Sequence, residues 1–392
     1  MKPDLLKAQN PNLSVIIPCL NEEDTLEVCL DKLKTVAKNE DFSVEVIVAD
    51  NGSKDSSVQI AKRAGARVVN VETKGYGAAL IGGISEAKAP FILMADADDS
   101  YDFLETPKFF QKLQEGYDLV QGCRLPKGGG KIEKNAMPWS HRYIGNPFFT
   151  SLVRSWFKSP VNDVYCGMRA FTKEFYIGLK MKCTGMEFAT EMIIKAAHSN
   201  SKTVQVPITL YKDGRIQHPP HLRTIRDGWK TLCFFLICAP SKLFLVPGSI
   251  MMTLGLLISC VGYTDFSLNH ITFGGHTMLG ASLLIMSGFQ AVLMSFLCNN
   301  LSLKLGLTAS HEENLFQHLI SKNGLKMSLI FFVLGISLWT NVFLEWKQLY
   351  FGALDYASTL KIVIPGATLI SLSFETIIFI LFNSWIKIEI HQ

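Results

Sequence analysis

The sequence predicts an α/β domain with a mainly parallel sheet, followed by an α-helical membrane domain of four spans. Three observations carry this. Up to about residue 230, short apolar runs alternate with stretches of helical spacing, the pattern of strands joined by crossover helices. Polar and acidic clusters stand at the ends of those apolar runs. Beyond residue 230 long apolar stretches dominate, as membrane spans require. The overall figures, 392 residues with 48% hydrophobic side chains, average over two unlike halves.

Taken in order, 1–11 is polar and predicts no signal peptide. Residues 13–17 (LSVII) read as a first strand, and 18–23 (PCLNEE) as the turn after it. Residues 24–37 place Leu26, Leu30, Leu33 and Val36 at helical spacing. A second strand at 44–49 ends in Asp50-Asn51-Gly52-Ser53-Lys54-Asp55, which leads into another helix. Residues 66–71 form a third strand, and Lys74-Gly75-Tyr76-Gly77-Ala78 opens the next helix. The fourth strand, 89–95, is continuously apolar and so buried on both faces.

That strand runs into Asp96-Ala97-Asp98-Asp99-Ser100-Tyr101-Asp102. Carboxylates at the end of a buried strand are costly unless something satisfies them. A divalent cation would, and hard oxygen ligands suit Mg²⁺ or Mn²⁺, which also hold substrate phosphates. Taken alone, the run equally fits a helix N-cap at Asp98, Asp99 or Ser100. In parallel sheets ligands bind beyond the carboxyl ends of the strands. Asn21 to Glu23, Asp50 and Asp96 to Asp98 all fall there. The first turn lacks Gly-x-Gly-x-x-Gly and no Walker-type loop occurs, so a nucleotide would be held by acidic residues and a metal. The nine cysteines show no Cys-x-x-Cys, which points away from a zinc site or a disulfide framework. A net charge of +4 gives no sign of a nucleic-acid partner.

These residues carry a resemblance. Ile17-Pro18 with Asn21-Glu22, then Asp50-Asn51-Gly52-Ser53, Gly75-Tyr76-Gly77-Ala78 and Asp96-Ala97-Asp98 resemble family 2 glycosyltransferases. Within these the chain is similar to the polyprenyl-phosphate (dolichol-phosphate) enzymes. Gly122-Cys123-Arg124, Cys166-Gly167-Met168-Arg169, Met186-Glu187-Phe188 and Val206-Pro207-Ile208-Thr209 extend the likeness, which covers about 12–230. It implies a Rossmann-like GT-A domain for a nucleotide-diphosphate sugar, and inverting transfer of the sugar to a polyprenyl phosphate. By the same resemblance Pro18, Asn21, Glu22, Asp50, Ser53, Gly75 and Asp96 are donor-site residues. Asp50 would meet the base or ribose, Asp96 the diphosphate, and Asp96 with Asp98 the Mg²⁺ or Mn²⁺. The chain departs from the pattern at Asn51, where a second Asp is usual, and at Ser100, where the mannose synthases carry Gln.

The middle is basic: Arg124, Lys127, Lys131, Lys134, His141 and Arg142 surround Gly128-Gly129-Gly130, a loop able to close over a phosphorylated substrate. Arg124 and Arg142 resemble the family's acceptor-phosphate arginines, and guanidinium suits bidentate phosphate recognition. Arg169 and Arg215 are further candidates. Asp96, Asp98, Arg124 and Arg142 form the expected catalytic set. Glu187 and Glu191 share a helix face and could simply pair with basic neighbours.

His218-Pro219-Pro220-His221 reads as a hinge. After it, Leu222, Ile225, Trp229, Leu232, Cys233 and Leu236 lie on one helix face, with Arg223, Arg226 and Lys230 opposite, as in a helix lying in the membrane interface. Domains are therefore expected at 1–221, 222–242 and 243–392, with spans near 243–263, 278–297, 325–346 and 362–385. Lysines in the second loop and tail favour a cytosolic catalytic domain, against which Lys347 and Lys361 in the third loop count mildly. Glu375 falls mid-span, where an ionisable group signals function or a helix contact. The expected protein is multi-pass, in a bacterial or archaeal cell membrane, in contact with membrane lipids and free to form homo-oligomers. A processive polysaccharide synthase is the rival enzyme, but its Gln-x-x-Arg-Trp motif is absent. A non-catalytic scaffold binding a nucleotide sugar or a lipid phosphate is the rival of another class.

Overall fold

The computed structural model describes residues 6, 8, 10–216, 224–264, 267–268, 271–307 and 315–388. The chain divides into two compact units, Met1–Leu232 and Cys233–Gln392.

The first unit begins with β1 (Leu13–Cys19), α1 (Leu26–Asn39), β2 (Val44–Asp50), α2 (Ser57–Ala64), β3 (Arg67–Asn70), α3 (Tyr76–Ser85) and β4 (Phe91–Met94). It continues with α4 (Thr106–Gln114), β5 (Leu119–Cys123), β6 (Lys131–Ile132), α5 (Asn146–Phe157) and β7 (Arg169–Thr172). It closes with α6 (Lys173–Leu179), α7 (Phe188–His198), β8 (Thr203–Pro207) and β9 (Thr209–Leu210). Seven strands form one sheet in the order β3-β2-β1-β4-β7-β5-β8, and β6 pairs with β9 beside it. The expected parallel sheet is present, with one strand reversed: β7 runs antiparallel to both β4 and β5.

The register sets the site. Cys19 pairs with Asp50 and Ile16 with Met94, so β1, β2 and β4 end on one rim. Because β7 is reversed, it begins on that rim, with Arg169 opposite Met94 and Gln121. Every residue of β2 is buried between its two neighbours, including Glu45, which Ser14 and Arg67 satisfy. The apolar face of α1 (Leu26, Cys29, Leu30, Leu33 and Val36) packs inward as its spacing predicts.

The second unit follows α8 (Thr224–Cys238), whose course crosses the division between units. The predicted hinge 218–221, with Leu222 and Arg223, lies outside the described residues, as do the side chains of Ile225, Arg226 and Leu236. Trp229 is 66% exposed, so it is not buried in a core. Next come α9 (Val246–Tyr263), α10 (Gly275–Lys304), α11 (Leu315–Gln348) and α12 (Tyr356–Lys387). Four stretches are long and apolar enough to cross a membrane: Ser241–Tyr263, Gly275–Lys304, Lys322–Gln348 and Tyr356–Ile386. They contain the four expected spans.

Small residues bring these helices together. A Cβ on Gly248 would lie 2.7 Å from the Gly288 carbonyl, and one on Gly335 2.8 Å from that of Gly366. Polar pairs tie the bundle: Ser282 with Thr368, Ser328 with Ser373, and Asn300 with Asn383. Glu375 is half-buried, and its Oε2 has no hydrogen-bond partner among the described residues.

Candidate active site

The loops after β1 and β2 are laced into one wall. Asn21 accepts from the Lys54 backbone N–H at 2.8 Å, while its own N–H donates to Ser53 Oγ at 3.0 Å. Glu22 N–H donates to Ser57 Oγ, and Glu23 accepts from Ser56 N–H. Asp50, buried at the end of β2, accepts from the Gly52 and Ser53 N–H groups and so shapes the turn after it. Pro18 and Ser53 stand on the same wall, half-buried or nearly so.

Asn51 explains its departure from the family pattern. Its amide donates to the Val71 and Thr73 carbonyls at 3.0 and 2.8 Å, and its oxygen accepts from Gly75 N–H at 2.9 Å. A carboxylate has no hydrogen to donate. Asn51→Asp is therefore expected to destabilise the protein by about 2 kcal/mol, since it leaves two carbonyls facing a negative charge. Thermal melting checks this, and an unchanged or higher midpoint would refute it. Gly75 itself, at φ +137°, sits against the Thr184 carbonyl, where no side chain fits.

The three acidic positions of 96–99 are satisfied in three different ways. Asp96 accepts from the Tyr76 hydroxyl at 2.8 Å. Asp98 accepts from Ser100 N–H and Oγ–H at 3.0 and 2.6 Å. Asp99 pairs with Lys32 at 2.8 Å, from α1. Burial, then the neighbouring Asp98 charge, push the Asp96 carboxyl up to about 7, against the opposing hydrogen bond from Tyr76. Burial, then the Asp96 charge, keep the Tyr76 phenol protonated and able to donate.

This pair fits a divalent cation. Among the described residues Asp96 makes no ion pair, and a Cβ at Gly167 would fall 2.5 Å from Asp96 Oδ2, so a glycine keeps the space beside that oxygen open. Among the described residues no three His, Cys, Asp or Glu side chains gather as a ready metal cage. Two carboxylates with the remaining positions left to phosphate and water suit Mg²⁺ or Mn²⁺.

The four predicted acceptor arginines fare differently. Arg124, at the end of β5, is buried and clasped by Asp163: Nε–Oδ2 2.8 Å, Nη2–Oδ1 2.9 Å, and its backbone N–H to Oδ2 at 3.0 Å. Its Nη1 reaches the Tyr101 hydroxyl at 3.3 Å, and that hydroxyl also accepts from Gly167 N–H. Burial, then the Arg124 charge, lower the His141 imidazole below its usual pKa. Arg142 stacks over the Tyr143 ring at 5.4 Å and has no carboxylate partner among the described residues.

Arg169 and Arg215 are held by protein partners as well. Arg169 is fully buried and donates to the Ala189, Val164 and Cys166 carbonyls, so it ties β7 to its surroundings. Arg215 and Glu22 were expected at acceptor and donor respectively, yet they hold each other through two bonds of 2.5 and 2.7 Å. A buried carboxylate at the rim needs a countercharge, and Arg215 supplies it from far along the chain. Arg215 also pairs with Asp213 and lies 3.5 Å from Asp98. Of the Glu187/Glu191 pair, Glu191 does pair with a basic neighbour, Lys195, and caps the Lys182 and Cys183 N–H groups. Tyr76, Tyr101 and Asp163 were not singled out from the sequence.

Residues 14–179 match the family described as Glycosyl transferase family 2, and 305–387 match its C-terminal transmembrane region. The low-salt glycan biosynthesis hexosyltransferase Agl6 of Haloferax volcanii is 34% identical over 72% of this chain and 67% of its own. The chain belongs to glycosyltransferase family 2. A dolichyl-phosphate hexose transferase of the same organism is 31% identical over 50% of this chain and 82% of its own. Glucosyl-3-phosphoglycerate synthase of Mycobacterium tuberculosis, solved with Mn²⁺ and UDP, aligns at 20% identity and TM-score 0.44 over 58% of this chain and 80% of that one. This family 2 glycosyltransferase is thus a multi-pass membrane enzyme with a GT-A-like domain. Its rim places Asp96 and Asp98 together. Arg124 stands across Tyr101 and Gly167 from them.

Proposed function

We propose that this glycosyltransferase moves a sugar, with inversion, from a nucleotide-diphosphate sugar to a polyprenyl phosphate at the cytosolic membrane face. The observation that supports it best is the polarity of the rim. A carboxylate pair fit for a cation lies on one side of Tyr101 and Gly167, and the Arg124 guanidinium lies on the other. A donor diphosphate suits the first side and an acceptor phosphate the second.

The acceptor makes few demands. A phosphate monoester loses its second proton near a pKa of about 6, so its oxygen is already nucleophilic and no strong base is required. Asp96 and Asp98 would hold Mg²⁺ or Mn²⁺, which when bound supplies charge stabilisation to the departing diphosphate. Tyr76 orients Asp96 by its hydrogen bond. The Asn51–Gly75 turn carries the donor wall. Arg142, its guanidinium unclaimed by any carboxylate among the described residues, holds the acceptor phosphate, and Asp163 fixes Arg124.

Arg142→Ala is expected to raise the KM for polyprenyl phosphate by about a hundredfold, the scale of one charge-assisted bidentate contact, with donor KM little changed. Arg142→Lys should recover only part, because an ammonium lacks the planar fork. Equal rises in both KM values would remove Arg142 from the acceptor side.

The direct test uses purified full-length protein in polyprenyl-phosphate vesicles with a panel of labelled nucleotide sugars. Label should enter a lipid-extractable product with Mn²⁺ or Mg²⁺ and fall to background with EDTA. Nucleotide-sugar binding without transfer to lipid, for every donor, would overturn the reading.

A further inference from the structure

Glu187 ends a turn that lies against the donor wall. Residues 183–187 rest, backbone on backbone, on the glycine turn that opens α3. A Cβ on Gly77 would fall 2.5 Å from the Cys183 carbonyl oxygen and 2.8 Å from that of Gly185. Ala78 N–H donates to the Thr184 carbonyl at 2.9 Å. The same glycine turn reaches Asn51 through Gly75 N–H and Asp96 through the Tyr76 hydroxyl. The first turn of α7 is fixed at this rim too, because Arg169, paired with Met94 at the start of β7, donates to the Ala189 carbonyl. Glu187, immediately before α7, therefore stands at the rim where the donor is expected.

Nothing in the protein satisfies this carboxylate. Glu191, one turn further on, is held by Lys195 and by the Lys182 and Cys183 N–H groups. Glu187 is half-buried, and among the described residues its carboxylate makes no ion pair and no hydrogen bond. It does not cap α7 either. An acid at a helix N-terminus gains from the helix dipole, and that is the plain structural explanation. The dipole does not account for Gly185. A Cβ there would overlap Glu187 Oε2, and beyond its chain neighbours no other residue lies within 4 Å of it. The glycine leaves room for one thing, the carboxylate folded back over the turn.

A carboxylate accepts hydrogen bonds and cannot donate them. It repels a diphosphate, so the guest it suits is the neutral, hydroxyl-rich part of the donor. We infer that Glu187 binds the sugar: its carboxylate accepts from hydroxyls of the transferred residue, and Gly185 lets it take up that position. The inference rests on the donor half of the proposed function alone.

The test reads donor binding and so stands apart from the acceptor. Purified full-length protein with Mn²⁺ is titrated calorimetrically with UDP-glucose, UDP-N-acetylglucosamine and GDP-mannose, and with UDP and GDP. Glu187→Ala should weaken the best-bound nucleotide sugar about tenfold or more, the scale of a charge-assisted hydrogen bond, and its nucleoside diphosphate by no more than about twofold. Glu187→Gln, which keeps an acceptor oxygen without the charge, should fall between. Gly185→Ala should reproduce the loss with the carboxylate still present, and should add nothing to Glu187→Ala. Deoxy analogues locate the contact: the one lacking the hydroxyl held by Glu187 should bind the unaltered protein and Glu187→Ala equally well. Melting midpoints should stay near that of the unaltered protein. Equal weakening of nucleotide sugar and nucleoside diphosphate, a loss shared by every deoxy analogue, or no loss at all would overturn the inference and leave Glu187 to its helix. If the unaltered protein binds no nucleotide sugar, the donor reading fails and takes this inference with it. If it binds one but transfers to no polyprenyl phosphate, only the acceptor reading fails.

Discussion

Asp98→Ala is expected to lower sugar transfer by about a thousandfold or more, the scale of losing a cation's charge stabilisation, with the protein still folded. The fold should survive because the bonds of Asp98 are local. It accepts from Ser100 and lies 3.5 Å from Arg215, which keeps Glu22 and Asp213 as partners. Losing such bonds at a partly exposed side chain costs about 1 kcal/mol. Asp98→Asn separates charge from shape: the amide oxygen can still accept from Ser100, but the charge is gone. We expect it to be as inactive as the alanine variant. Asp99→Asn is the control, since the Asp99 charge is engaged by Lys32, and it should retain activity within about threefold. The comparison is read as metal-dependent turnover beside a thermal melt. Near-normal turnover by a folded Asp98→Asn protein would remove the metal from Asp98.

The three acids of 96–99 show what the sequence does and does not disclose. The run at 96–99 announces a site because a buried strand leads into it, and strand burial is legible from a continuous apolar run. Which carboxylate serves chemistry is not legible, because two of the three take partners from remote positions: Asp96 takes Tyr76 on α3 and Asp99 takes Lys32 on α1. The spans were readable for the same reason as the strands, as length and hydropathy are local quantities. The reversal of β7 was not, because nothing within Arg169–Thr172 records which neighbours it joins. Glu22 and Arg215 show the limit most clearly. Each is a plausible ligand contact taken alone, and only the fold reveals that they neutralise one another across 193 positions. Arg169 looked like a phosphate ligand because it is charged, whereas its surroundings turn it into a buried brace between backbone carbonyls.

Asp163→Ala tests the other half of the site and should have the largest effect on stability. Asp163 is fully buried and gives both oxygens to Arg124. Removing one partner of a buried ion pair leaves the other charge uncompensated, at a cost of about 3–5 kcal/mol. A large fall in melting temperature is therefore expected. Lost activity in that variant says nothing about chemistry, because the arginine has lost its anchor. The pair must be removed together. An Arg124→Met, Asp163→Leu variant replaces two charges by apolar side chains, an exchange that is often neutral or stabilising by about 1–4 kcal/mol in buried sites. It should recover most of the stability lost by Asp163→Ala. If Arg124 also faces the acceptor phosphate, the recovered protein should still transfer sugar about a hundredfold more slowly, with the loss in acceptor KM. A double variant that regains both stability and full transfer would make Arg124 a structural residue alone. The acceptor side of the rim would then rest on Arg142, the one of the four candidate arginines with no carboxylate or carbonyl claim on it among the described residues.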